Sequence, residues 1–204
     1  MRPAAAPSGV PTMQIVLAST SPYRRDIVAR LGLPLITAAP VCDETPLPDE
    51  TALQTAVRLA RTKAMSLASQ YPDALIIGGD QVALLDGRQI GKPGSFENGV
   101  KMLQWMSGRT VVFHSALALY NSRSGQLQED VGITKVTLRT LTEQQIRNYL
   151  SREPDALHCA GSAKSETLGG ALMQKVEADD PNSLIGVPLF ALVTMLQNEG
   201  VEIL

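Results

Sequence analysis

Cysteine is scarce in this sequence. Cys42 and Cys159 are the two among 204 residues, they lie far apart, and they show no metal-ligand spacing. A disulfide framework is therefore not expected, and a reducing, cytoplasmic setting is. Long apolar runs are also missing. No stretch approaches the roughly 18 consecutive apolar residues that mark a spanning helix, so no membrane partner is expected. Positive charge is not in excess: the formal net charge is −2 at pH 7. That argues against a broad basic face for DNA or RNA, whose binding depends on neutralising phosphates. A small phosphorylated ligand is still open, because a few local cations suffice to hold it. Neither the P-loop pattern nor the glycine fingerprint of dinucleotide-binding folds occurs, so kinase and NAD-dehydrogenase readings have little support. Residues 1–12, MRPAAAPSGVPT, carry no apolar segment of the signal-peptide kind. They read as a flexible tail ahead of a single domain over residues 13–204.

Hydrophobic residues make up 44% of the chain and charged residues 19%, a balance that builds a substantial core and excludes global disorder. Ile15-Val16-Leu17-Ala18 reads as a buried strand. Ser19 to Ser21 turn the chain, and Pro22 suits the first position of a helix that runs to about Leu31 and stops at Gly32. A strand follows over Leu35–Ala38. Apolar residues at Leu53, Val57, Ala60, Ala64 and Leu67 predict an amphipathic helix from Thr51 to Gln70, with Lys63 on the flank of its apolar stripe. Leu75-Ile76-Ile77 is the strongest buried strand and leads into Gly78-Gly79-Asp80-Gln81. Asp86-Gly87 marks a hairpin. A helix from Ser95 to Ser107, long strands near Thr110–Tyr120 and Gln126–Leu138, and a Thr142/Gln145 capping box follow. A strand near Leu172–Glu177 and a helix over Pro188–Gln197 complete the chain. The order predicts an α/β protein with a mixed sheet.

Several polar segments point to chemistry. Ser19-Thr20-Ser21-Pro22-Tyr23-Arg24-Arg25 places hydroxyls and two arginines at a helix start, where free backbone N–H groups favour anions. Arginine in a first turn opposes the helix dipole, and a phosphate ligand explains it. An ordinary cap with solvated arginines is the plain alternative. Asp80 after two glycines has the setting of a metal ligand or a proton acceptor, although a lone Asp at a strand end is more often a turn or cap residue. Asp43-Glu44 in a proline-rich loop are plausible divalent-metal ligands. Lys63 and Lys92 supply positive charge for a polyphosphate. The run His158-Cys159-Ala160-Gly161-Ser162-Ala163-Lys164-Ser165-Glu166 has the small, polar character of a substrate-contacting loop. A Cys–His nucleophile pair there is disfavoured, because adjacent side chains rarely face each other and no orienting acid is evident. His114 lies in an apolar strand and has no expected catalytic role.

Together these segments resemble the Maf family of nucleotide pyrophosphatases. Leu17-Ala18-Ser19-Thr20-Ser21-Pro22-Tyr23-Arg24-Arg25 is similar to the family signature. Asp43-Glu44, Lys63, Gly79-Asp80-Gln81 and Gly91-Lys92-Pro93 follow in the family's order and spacing, from about Gln14 to Leu204. The resemblance implies an elongated mixed sheet flanked by helices, with two lobes around a central cleft. It implies cleavage of a nucleoside triphosphate to a monophosphate and pyrophosphate, a divalent cation (Mg²⁺ or Mn²⁺), and a homodimer. By this resemblance Asp80 is the proton acceptor. Ser19, Arg24, Arg25, Glu44, Lys63 and Lys92 match phosphate- and metal-handling positions, with Glu44 and Asp80 as the metal ligands. Tyr23, Gln81 and Glu166 map to the specificity positions and are similar to the branch that acts on 7-methyl-GTP. The alternatives are a dTTP/UTP pyrophosphatase of the same family and a nucleotide-binding regulator of septum formation.

Overall fold

The computed structural model describes residues 13–204, and the tail expected at 1–12 lies outside the described residues. Among the described residues, five α-helices and seven strands follow in the order β1 (Gln14–Ala18), α1 (Pro22–Ala29), β2 (Leu35–Ala38), α2 (Ala52–Met65), β3 (Ala74–Leu85), β4 (Arg88–Ile90), α3 (Phe96–Met106), β5 (Thr110–Asn121), β6 (Leu127–Leu138), α4 (Glu143–Arg152), β7 (Met173–Ala178) and α5 (Leu189–Asn198). The strands form one sheet in the order β2-β1-β3-β5-β6-β7, with β4 folded back on β3. β1 is parallel to β2 and β3, and the remaining pairs are antiparallel. The sheet is therefore mixed. No helix among the described residues is long and apolar enough to cross a membrane.

The alternation of strand side chains sorts the core into layers. Val16, Ala18 and Ile76 face α2, whose Ala56, Ala60 and Ala64 lie against them. Ile15, Leu17, Leu75 and Ile77 point the other way, onto Ile27 and Val28 of α1 and Leu192, Met195 and Leu196 of α5. A further core fills the distal half of the molecule, where Leu103 and Met106 of α3 and Ile146 and Leu150 of α4 pack on Leu85, Phe113, Val136 and Leu138. Two lobes result, joined by the long strands β3 and β5.

Local signals set most element ends. Thr51 and Thr142 each complete a reciprocal capping box with the glutamine three residues on. The Ser21 side chain caps α1, with Pro22 in its first turn. Asp86 and Gly87 both have positive φ, as a tight two-residue hairpin requires. Two expectations need correction. Helix α2 ends at Met65, not Gln70, and residues 66–70 form turns. There Ser66 Oγ donates to the Lys63 carbonyl and accepts from the Val41 amide, a side-chain competition that favours helix ends. Strand β3 does not stop before Asp80. It continues unbroken to Leu85, because β5 pairs with it from Leu75 to Leu84.

Close packing of helix on sheet dictates Gly78 of β3. A Cβ on Gly78 would lie 2.0 Å from the Ala60 carbonyl oxygen and 2.8 Å from the Ala64 nitrogen, so helix α2 rests directly on the strand there. Replacing Gly78 with alanine is expected to destabilise the fold by about 1–3 kcal/mol, as overpacking does. Chemical denaturation checks this, and an unchanged midpoint would show that α2 can lift without cost.

Candidate active site

A cleft of about 830 Å³ opens between the lobes. Its position follows from the sheet. β1 pairs with β3 only as far as Gly78, and β4 begins its pairing at Ala83. Between those points the Gly79–Val82 edge of β3 has no strand on that side, and the chain leaving β1 turns there into α1. Ligand sites in open α/β sheets commonly sit off such strand ends.

Period-2 alternation sends Asp80 to the α2 face of the sheet and Gln81 to the opposite one. Facing Asp80 is Lys63. It does not sit on the flank of α2 with its head in solvent, as the sequence pattern implied. It is 6% exposed, and its ammonium lies 2.8 Å from Asp80 Oδ1 and 2.8 Å from Glu44 Oε1. Burial acts to lower the Lys63 pKa, but the hydrogen bonds to Asp80 and Glu44 outweigh it and the net shift is upward. Glu44 is held below the usual carboxylate range, chiefly by its hydrogen bond from Lys63. Its neighbour Asp43 does not line the cleft; it accepts from the Thr45 amide and shapes the loop.

The opposite wall comes from the start of α1. Ser19 is buried and its hydroxyl accepts from the Ser21 amide at 3.1 Å. Arg24 Nε donates to the Gly186 carbonyl at 3.2 Å, which pins the side chain beside Gly79 and Gly186. Burial pushes the Arg24 pKa down, and Asp80 and Glu44 oppose that shift. The guanidinium is thus a fixed, partly desolvated cation facing the two acids. Lys92 reaches the cleft from the exposed loop between β4 and α3.

The other predicted residues divide. Tyr23, Gln81 and Glu166 line the cleft. Arg25 does not: it is exposed, and its guanidinium pairs with Asp26 at 3.0 Å. One residue along a helix turns the side chain by about 100°, and that step carries Arg25 past the cleft toward Asp26. Gln81 Nε2 lies within hydrogen-bonding distance of Ser115 Oγ and of the Ser183 and Leu184 carbonyls, at 2.8, 3.1 and 3.0 Å. Its amide nitrogen is thereby anchored, which leaves Oε1 as its free acceptor.

A family profile described as Maf-like protein matches residues 14–199. The chain belongs to this family. It is 78% identical over 192 residues to a 7-methyl-GTP pyrophosphatase of Chromobacterium violaceum, covering 94% of this chain and all of that protein. It is 53% identical over 190 residues to the protein of the same name in Thiobacillus denitrificans, covering 93% and 94% of the two chains. The Neisseria meningitidis serogroup A protein of that name is 48% identical over 192 residues, covering 94% and 98%.

In this Maf-like chain the sequence pattern missed several cleft residues. Leu184 and Ile185 line it, Gly186 anchors Arg24, and buried Ser115 anchors Gln81. The Asp180-Pro181-Asn182 turn is the one local sign of the segment, and nothing in it announces a contact 162 positions away in sequence. A divalent cation fits the acids in a restricted way. Asp80 and Glu44 both converge on one ammonium, and neither Asp80 Oδ2 nor Glu44 Oε2 has a hydrogen bond among the described residues. No group of three or more metal-ligating side chains occurs among the described residues. That donor set suits Mg²⁺ or Mn²⁺ completed by phosphate and water oxygens, not a closed protein cage.

The two arginines separate experimentally. Arg24→Ala is expected to weaken nucleotide binding at least tenfold, whereas Arg25→Ala should change it less than twofold, the sizes of a desolvated and a solvent-screened contact. Titration calorimetry reads both. Equal losses would place Arg25 in the cleft with its neighbour.

Proposed function

We propose that this chain hydrolyses 7-methyl-GTP to 7-methyl-GMP and pyrophosphate in the cytoplasm, as a dimer and with a divalent cation. The observation that carries the proposal is the Lys63 ammonium held between Asp80 and Glu44, in the same cleft as Arg24 and Lys92. Acids and cations in close alternation suit a reaction in which water is deprotonated while polyphosphate charge is held. The names of the relatives support the substrate.

In the proposed reaction, Asp80 takes a proton from a water as its oxygen bonds to the α phosphorus and the bond to the bridging α–β oxygen breaks. Lys63 hydrogen-bonds one Asp80 oxygen at 2.8 Å, which orients the carboxylate and leaves the other oxygen for the water. Ser19, Arg24 and Lys92 orient the phosphates and stabilise charge on the departing pyrophosphate. A divalent cation at Asp80 and Glu44 would supply Lewis-acid charge to the phosphate oxygens.

At the other end of the cleft, Tyr23 offers an aromatic face to the positively charged 7-methylguanine ring. Gln81 Oε1 and Glu166 are acceptors for the donors on the guanine edge, and Glu166 also favours the ring charge. The test is a turnover panel across 7-methyl-GTP, GTP, dTTP and UTP with wild type and Glu166→Gln. Wild type should prefer 7-methyl-GTP, and the variant should lose about tenfold of that preference. An unchanged ratio in the variant would remove Glu166 from base recognition, and a wild-type preference for dTTP or UTP would reject the substrate.

A further inference from the structure

One cation in the cleft has no part in the catalytic account. The Lys164 side chain is 10% exposed. Its ammonium sits 5.7 Å from the centroid of the Tyr23 ring, 3.5 Å from Glu153 Oε1 and 3.9 Å from Asp155 Oδ2. Tyr23 belongs to α1 on one wall, and Lys164 to the loop after α4 on the other, so this contact spans the opening.

The backbone under Lys164 is fixed. Its amide donates to the Tyr149 hydroxyl at 3.3 Å, and that hydroxyl donates to the Ser162 carbonyl at 2.8 Å. The Lys164 carbonyl accepts from the Thr167 amide, and Gly169 packs so closely that a Cβ there would come 2.4 Å from the same oxygen. Movement at this position is therefore confined to the lysine's flexible stem. Burial works to lower the ammonium's pKa, and Tyr23, Glu153 and Asp155 outweigh it, so the group is charged at neutral pH. Glu153 is itself only 16% exposed and already lies within ion-pair distance of the ammonium, so it can retain the charge if the lysine withdraws from the ring.

From this arrangement we infer that Lys164 is an internal competitor for the base site: its ammonium, paired with Glu153 and within cation–π range of Tyr23, stays beside the ring until a cationic base drives it fully onto Glu153. The inference rests on the reading of Tyr23 as the face that receives the base. A cation already beside the ring repels a second one that approaches it, and the repulsion is strong where water is largely excluded. The arriving 7-methylguanine therefore needs the lysine moved and its charge neutralised elsewhere. A neutral guanine meets the same obstacle to entry but not the charge repulsion. Lys164 thus acts as a specificity-determining residue that tempers affinity for the methylated base, and Glu153 is the positioning residue that receives its charge.

The test is titration calorimetry of 7-methyl-GMP and GMP against the full chain. Lys164→Met should tighten 7-methyl-GMP about tenfold, and GMP by less, on the scale of a desolvated cation–π contact. Lys164→Arg keeps a cation and should bind like wild type. Glu153→Gln retains an acceptor for its neighbours but no charge, and it should weaken 7-methyl-GMP severalfold. That weakening should vanish in the Glu153→Gln/Lys164→Met double variant, because no displaced ammonium is left to neutralise. Thermal denaturation of each variant identifies any loss that comes from misfolding, and Lys164→Gln serves as a second neutral variant. Weaker or unchanged 7-methyl-GMP binding in folded Lys164→Met and Lys164→Gln would overturn the inference while leaving the function intact. A wild type with no preference for 7-methyl-GMP over GMP would overturn the base reading, and this inference with it.

Discussion

Replacing Asp80 with asparagine is expected to lower turnover by about a thousandfold, within the usual range for loss of a general base, while nucleotide binding survives. Asparagine keeps the size of the side chain and an oxygen to accept from Lys63, so strand β3 and helix α2 should stay in place. What disappears is a group able to take a proton from water. The phosphate contacts of Ser19, Arg24 and Lys92 do not depend on that group, and their share of binding should persist. Turnover is read from pyrophosphate release and binding from calorimetry on the same preparation. Turnover within tenfold of wild type would show that another group accepts the proton. Loss of binding together with turnover would make Asp80 chiefly a ligand for the cation and phosphates.

The Lys63→Met variant should be nearly as damaging, for a different reason. Methionine preserves the length of the buried stem, so packing against β3 is largely kept. The ammonium shared by Asp80 and Glu44 is lost, and two carboxylates then face each other without the intervening charge. Glu44, whose pKa the Lys63 hydrogen bond depresses, will hold a proton at higher pH than before. Asp80 loses the hydrogen bond that orients it, and the departing pyrophosphate loses a cation. Turnover should fall about a hundredfold to a thousandfold. Stability should fall by about 1–2 kcal/mol, well below the cost of breaking a fully buried pair, because Glu44 is 65% exposed.

The pH dependence has a definite sign. The Glu44 pKa is depressed in the folded state, so its contribution is present above the ordinary glutamate range and is lost as pH falls through the folded value. The Lys63 pKa is raised, so its contribution is present below the ordinary lysine range and is lost as pH rises through the folded value. In Lys63→Met the acid limb of unfolding should move to higher pH. Denaturation midpoints across pH measure it, and an unmoved acid limb would show that Lys63 does not hold Glu44 ionised.

Both variants show where the sequence was informative. Features written in a few adjacent residues were legible: the capping boxes at Thr51 and Thr142, Pro22 at the start of α1, and the Asp86-Gly87 hairpin. Each satisfies backbone groups within its own turn and needs no distant partner. Asp80 was legible as a residue of interest but not in its setting, because the strand through it continues by pairing with β5, which lies more than thirty residues further on. Gly78 stood out, yet its reason is the close approach of α2, and only the folded chain brings Ala60 to it. Lys63 fell at the edge of an apolar stripe, and burial of its head depends on two acids from separate segments. Arg24 and Arg25 are alike in sequence and separate in space because one turns toward Gly186 and the other toward Asp26. Ser115 and Gly186 carried no local sign at all, since their roles exist only in the contacts they make with Gln81 and Arg24.

In the proposed reaction, water attacks the α phosphorus within the cleft that holds Asp80, Lys63 and Glu44. This is tested most directly by running the reaction on 7-methyl-GTP in ¹⁸O-enriched water and weighing the products. Attack at the α phosphorus leaves one ¹⁸O in 7-methyl-GMP and none in pyrophosphate. Label in the pyrophosphate, or release of orthophosphate in its place, would contradict it.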